Sequence, residues 1–297
     1  MESLEQLRKQ LASLDELRAI VKTMKALAAA SIRQYEQAVV ALDGYDQSIE
    51  RGLYVVLQDL EDSPKPAERR PPAAHFAAVV FGSDHGLCGR FNEEITGHAL
   101  QCMNSIAKAP DRWRLLAVGA RVASSLAQAG RTIEAGILTP SSAAQITVTV
   151  QQILLKIDAW RQQADVGDVY LFYNRRVDGR GYNPADTKLL PVDLQRLQLL
   201  REQHWPSRRL PTFTMGREEL LSRLLHQHLF VSIFRACAES LVSEHASRLA
   251  AMHSAERNLD ERLDDVTMVF RRARQGVITA ELLDVMAGFE AITAGEN

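Results

Sequence analysis

Three groups of residues have the types and spacing to do chemistry. A glycine-rich stretch, GSDHGLCGRF from Gly82 to Phe91, brings Asp84, His85 and Cys88 close together. An arginine-rich stretch, FRRARQGVIT, carries Arg271, Arg272, Arg274, Gln275 and Thr279. A one-signed run of Arg18, Lys22, Lys25 and Arg33 meets no acid between Leu17 and Tyr35.

The glycine-rich stretch follows an apolar run and precedes a helical pattern, and such a turn can offer backbone amides to a phosphate. Gly82, Gly86 and Gly89 do not make G-x-G-x-x-G, however, no Gly-Lys-Ser/Thr follows, and Arg90 is the only nearby cation. The turn therefore reads as structural. A thiol site needs a base to activate Cys88, yet neighbours in a turn rarely point at one another, so Cys88 reads as a buried small apolar residue. His226 and His228 lie close together while His75, His85 and His98 are scattered. Without a third or fourth ligand at metal spacing, no metal and no cofactor is assigned.

Arginine presents a planar fork that holds carboxylates through two hydrogen bonds, and Gln275 and Thr279 would add neutral donors beside Arg274. Gly276 is costly inside a helix, and close approach of another backbone would account for it. The basic run near Lys25 is either a solvated face or a surface for an acidic partner.

These residues must be positioned by longer elements. All ten prolines lie between Pro64 and Pro211, so both flanks are free of the residue that breaks helices. In the first flank, steps of seven from Leu7 pass through Leu14, Val21, Ala28, Tyr35, Leu42, Ile49 and Val56. The second repeats this through Leu224, Val231, Ala238, His245, Met252, Leu259, Val266, Ala273, Ala280 and Ala287, with only His245 polar. A stripe of that period needs a partner, and each flank offers the other one, which predicts an antiparallel coiled coil. Between them, HFAAVVFGSD, RWRLLAVGA and DVYLFYNRRV read as strands. Helices are predicted at about 92–107, 121–129 and 143–163, giving a small α/β domain with a largely parallel sheet.

Bulk properties narrow the class. The 297 residues carry 35 Lys and Arg against 37 Asp and Glu, a net charge of -2, so no global basic excess points to nucleic acid. Three cysteines, Cys88, Cys102 and Cys237, suit a reducing compartment better than a disulfide framework. The opening MESLEQLRKQ has an acid at Glu2 and no apolar run, so no signal peptide or membrane span is expected.

Four stretches, IVKTMKALAAASIR (Ile20 to Arg33), SDHGLCGRFN (Ser83 to Asn92), SEHASRLAAMHSA (Ser243 to Ala255) and ARQGVITAELLDVMAG (Ala273 to Gly288), resemble in order and spacing the signatures of the γ subunit of F-type ATP synthases. The chain departs from the family in Ser31 and Ile32 after AAA, in Arg90, and in ERNLDERL (Glu256 to Leu263), which stands where the family typically carries D-N-A/G. These departures suggest a divergent bacterial member, with the N-type ATPases one class to consider.

The resemblance implies a non-catalytic rotor shaft inside a ring of α and β subunits, with its foot on the ε subunit and the membrane c-ring. It places the chain peripherally on the cytoplasmic face of the bacterial plasma membrane, in contact with the membrane only indirectly. By the matching motifs, Arg274, Gln275 and Thr279 would contact the β subunit's catch loop, with Glu281 and Arg248 holding the shaft near it and Met24 on the facing helix. The expected fold is α/β plus long α: an antiparallel coiled coil of the N- and C-terminal helices with an inserted Rossmann-like α/β domain. Its expected segments are 1–62 (first helix), 63–72 (linker), 73–210 (α/β domain) and 211–297 (second helix). The competing readings are a nucleotide-binding enzyme built on the α/β domain and oligomerised by its flanks, and a coiled-coil adaptor unrelated to ATP.

Overall fold

In a computed structural model of the chain, residues 3–58, 75–107, 109–163, 166–177, 181–192 and 211–294 are described, with side chains described as far as residue 287. The expected linker at 63–72 lies outside the described residues. Helix α1 runs Leu4–Gln58 and the last helix, α5, runs Arg217–Ala294. Ser3 starts α1 through a reciprocal box: its hydroxyl accepts from Gln6 N at 3.2 Å and Gln6 Oε1 accepts from Ser3 N at 2.9 Å.

The chain forms two compact units, one combining the residues up to Leu27 with those from Leu249 onward, the other spanning Ala28–Arg248. In the first unit the two helix segments run antiparallel, since Arg18 pairs with Asp260 at 2.8 Å and Lys25 with Glu256 at 2.5 Å. Leu7, Met252 and Val266 of the predicted seams are buried there. Fourteen residues before Arg18 lies Leu4, and fourteen after Asp260 lies Arg274, so this register brings α1 to its first turn opposite Arg274. Ala273 is accordingly half-buried, and every residue from Arg274 to Ala287 is exposed. The expected burial of Ala280 and Ala287 is therefore not met within the chain.

The second unit holds a five-stranded sheet of order β3-β2-β1-β4-β5. Its strands are β1 (His75–Phe81), β2 (Trp113–Val118), β3 (Ala135–Ile137), β4 (Val166–Val177) and β5 (Gly181–Leu190). The first four are mutually parallel, and β5 pairs antiparallel with β4. The connecting helices are α2 (Phe91–Ile106), α3 (Ala120–Gln128) and α4 (Ala143–Gln163). Two strands were not expected. β3 is only three residues long, and β5 contains Pro184, which a sheet tolerates here because β5 is an edge strand.

Alternation along the central strand β1 divides the core. Ala77, Val79 and Phe81 face α4 (Ile146, Val150, Ile153, Ile157) together with Ile233, Ala236, Cys237 and Leu241 of α5. Ala78 and Val80 face Ile95, Ala99 and Met103 of α2 and Val122 and Leu126 of α3. Each fully buried Val, Leu, Ile, Met or Phe among them contributes about 1.5–3 kcal/mol. Burial on both faces explains the unbroken apolar run of β1.

Candidate functional site

In an open α/β sheet, ligands favour the crevice at the carboxyl ends of the strands where the order reverses, here between β1 and β4. The glycine-rich turn sits at that place, and its first residues are tied into the fold. Ser83 N donates to Asn92 Oδ1 at 3.0 Å, and Gly82 N donates to Val118 O at 2.8 Å. Asp84 takes the amides of Ala120 at 2.9 Å and Thr139 at 2.8 Å, so a carboxylate of the chain already holds the amino end of α3. A β-carbon on Gly82 would stand 2.4 Å from Val122 Cβ and 2.7 Å from Asn92 Oδ1. This glycine is required by helix–strand approach.

The turn is also covered by α5. Ser247 Oγ donates to Cys88 O at 2.7 Å, Arg248 Nη2 to His85 O at 3.3 Å, and Ser243 Oγ to Asn174 O at 2.9 Å. Asn174, buried in β4, donates in turn to Phe91 O at 3.1 Å. The stretches SDHGLCGRFN and SEHASR, far apart in sequence, are thus two sides of one polar joint. Cys88 is buried, its thiol pushed up by desolvation, with Ser83 Oγ and Asn92 Nδ2 each 3.6 Å away. This agrees with the structural reading of Cys88.

Arg248 belongs to this joint. It is 7% exposed and holds Glu244 Oε1 at 2.7 Å, one helical turn away. Burial pushes the Glu244 carboxyl up to about 7, against the pull of Arg248. His245 is pushed down to about 4 by burial and by the same guanidinium. The guanidinium of Arg248 is therefore committed inside the second unit.

Arg274, Gln275, Thr279 and Glu281 lie together on the exposed end of α5 in the first unit. Thr279 Oγ1 donates to Gln275 O at 2.9 Å, an in-helix bond. Among the described residues, Arg274 and Glu281 have no ion-pair partner in the chain. A β-carbon at Gly276 would meet nothing within 4 Å, so among the described residues nothing accounts for that glycine. Met24, also in the first unit, is half-buried on α1. Around the polar group, Val277, Ile278, Leu282, Leu283, Val285 and Met286 are all exposed, Val285 at 73%. Large apolar side chains exposed around most of a helix mark a surface made for another molecule. Their exposure was missed in sequence because a seam of sevens does not tell where its partner ends.

The basic run resolves differently. The acids that meet Arg18 and Lys25 are Asp260 and Glu256, both from the divergent stretch ERNLDERL. Their i, i+4 spacing on α5 was the available signal. Lys25 holds the Glu256 carboxyl below its usual range through a direct hydrogen bond.

A model of the family described as ATP synthase matches residues 3–292. The ATP synthase gamma chain of Desulfitobacterium hafniense is 27% identical over 296 residues, covering 98% of this chain and 100% of that one. The gamma chain of Geobacter metallireducens is 28% identical over 294 residues, covering 98% and 99%. Among solved structures, a chain of the Euglena gracilis mitochondrial ATP synthase (OSCP/F1/c-ring, rotational state 3) superposes with a TM-score of 0.65 at 17% identity, covering 99% of this chain and 96% of that one. A chain of the Tetrahymena thermophila mitochondrial ATP synthase central stalk and c-ring gives 0.55 at 21% identity, covering 80% and 99%. At these identities the solved structures speak to the fold.

Proposed function

This chain belongs to the ATP synthase gamma family, and we infer from that membership its place in a rotary machine. It is the central-stalk rotor subunit of an F-type ATP synthase, non-catalytic itself. It couples ATP synthesis or hydrolysis in the α/β ring to ion translocation through the membrane c-ring. Its partners are the α and β subunits around the helices, with the ε subunit and c-ring at the foot. It works as part of the membrane-associated F1 complex, and the cytoplasmic face of a bacterial plasma membrane is the location we propose.

Within that function, the contact with β is assigned to Arg274, Gln275 and Thr279, with Glu281 two turns on from Arg274 and Met24 on the other helix of the same unit. The supporting observation is the uncovered end of α5, where charged, amide and apolar side chains are all exposed from Arg274 to Ala287. A rotor must hold each dwell and release it. Charged hydrogen bonds of about 1.5–3 kcal/mol each suit that cycle better than a permanent apolar seal. For Arg248, the bonds to Glu244 and His85 support an indirect role, in which it keeps α5 seated on the turn.

The test is a complex reconstituted with α and β on c-ring vesicles, carrying Arg274→Ala and Gln275→Ala together. ATP hydrolysis or ATP-driven ion transport should fall while the helical circular-dichroism signal of the purified chain is unchanged. Wild-type rates for both activities would remove Arg274 and Gln275 from the contact, and failure of the chain to assemble with α and β would overturn the rotor reading itself.

A further inference from the structure

We propose that His98, Cys102 and Asp186 form a binding site for a single zinc-class divalent metal ion on the α/β domain, independent of the rotor reading. His98 and Cys102 stand one turn apart on α2 and share a face, and Asp186 reaches them from β5. His98 Nε2 lies 2.9 Å from Asp186 Oδ1 and 3.7 Å from Cys102 Sγ, and Cys102 Sγ lies 3.9 Å from Asp186 Oδ1. The three donor atoms all fall within 4.8 Å of one another.

Those separations are close to the edges of a tetrahedron around zinc. With bonds of about 2.0–2.1 Å to nitrogen and oxygen and about 2.3 Å to sulfur, tetrahedral angles put nitrogen and oxygen about 3.3 Å apart and sulfur about 3.6 Å from either. Movements of a few tenths of an ångström therefore convert the hydrogen-bonded triad into three sides of a coordination shell, and water takes the fourth. The triad is also held in place. The His98 ring packs edge-on against Phe172, centroids 6.2 Å apart, and Phe172 is the β4 residue paired with Asp186 in the sheet. One buried aromatic thus positions both partners.

The donor set selects the metal. A thiolate with an imidazole and a carboxylate suits zinc, whereas magnesium and calcium take oxygen shells. On binding, Cys102 Sγ loses its proton to solvent as the sulfur–metal bond forms, and the neutral His98 carries its proton on Nδ1, leaving Nε2 free to coordinate. The His98 and Asp186 side chains are 27% and 45% exposed, so an ion has access.

The experiment uses the purified full-length chain freed of metal, with Zn2+ titrated against a chromophoric chelator and Co2+ as spectroscopic probe. One equivalent of Zn2+ should bind, and Co2+ should give a sulfur-to-metal charge-transfer band. Cys102→Ser should abolish that band and weaken zinc by at least the roughly 10–100-fold that even an outer partner of a metal ligand is worth. Asp186→Asn, which keeps the side-chain shape, should weaken zinc while the circular-dichroism spectrum is retained. A wild-type chain without the charge-transfer band, or variants that bind zinc as tightly as wild type, would overturn the site.

Discussion

Tyr35 of α1 and His245 of α5 stack with ring centroids 5.6 Å apart and planes inclined by 15°. They are the members of the two heptad series that carry polar atoms, and they meet each other. Tyr35 also donates to Pro140 O at 3.0 Å, just before α4, and desolvation raises its hydroxyl to about 12. Arg248 Nη1 lies 3.4 Å from His245 Nδ1. A polar pair inside an apolar seam sets register, because slipping either helix would leave both groups facing aliphatic neighbours.

The stack ties the stability of the fold to the protonation of His245. His245 is held neutral down to about 4, whereas in the unfolded chain it takes a proton near 6.5. Its folded value is depressed, so its contribution is intact above pH 6.5 and is lost as pH falls from there towards 4, amounting to roughly 3 kcal/mol. Glu244, raised to about 7, acts with the opposite sign and loses its contribution as pH rises from 4.5 through 7. Because the two contributions oppose each other, thermal melts across pH 4–7 should show a nearly level acid limb in the wild type and one that rises towards acid in His245→Phe, which keeps the stack without the titration. Equal acid limbs would refute the assignment.

Gly119 has φ of +117°, and a β-carbon there would lie 2.8 Å from Ser83 N and O. Its amide donates to Ile137 O at 2.8 Å, so the backbone is held from the other side. Gly130, at φ +76°, would meet nothing within 4 Å. Gly130→Ala should therefore cost only the left-handed strain, about 1–2 kcal/mol, and Gly119→Ala about 1–3 kcal/mol more through overlap. Chemical denaturation of the two variants measures the difference, and equal midpoints would contradict it.

The Lys25–Glu256 pair predicts a charge-swap result. Lys25→Glu or Glu256→Lys alone should lower the melting temperature by placing like charges at the contact, and the double swap should recover most of the loss. Added salt should shrink all of these differences, since the pair is partly solvated. A double variant no better than the sum of the singles would show that the pair does not interact.

Cys88 and Cys237 are buried while Cys102 is half-buried, so a thiol reagent should label the native metal-free chain rapidly at one position. Peptide mapping should place the label at Cys102. Cys88→Ser should change stability by no more than about 1 kcal/mol and leave coupled ATPase activity in place. Fast labelling of Cys88, or loss of activity with assembly intact, would reopen the case for a functional thiol.

Much of this protein was readable from its sequence for one reason: periodicity is local. The seam from Leu7 to Val56 and the apolar run at Ala77 to Phe81 report on helix and strand within a few residues of themselves. The Arg274–Thr279 group was likewise visible as a short motif. What lay beyond reach depends on contacts between distant segments. No strand was read around Pro184, and β5 forms there because its pairing with β4 leaves it at the sheet edge, where the missing donor costs nothing. The glycine-rich turn read as structural in the sequence, but that Ser247 and Arg248 of α5 pack on it was not legible there. The basic run found its acids in Asp260 and Glu256 only through antiparallel register, and the same register decided that the cover of α1 stops opposite Arg274. His98 and Cys102 showed their helical spacing in the sequence, but the third donor, Asp186, arrives through sheet pairing with Phe172. Spacing along the chain dictates which face a side chain occupies, and tertiary packing alone dictates what that face meets.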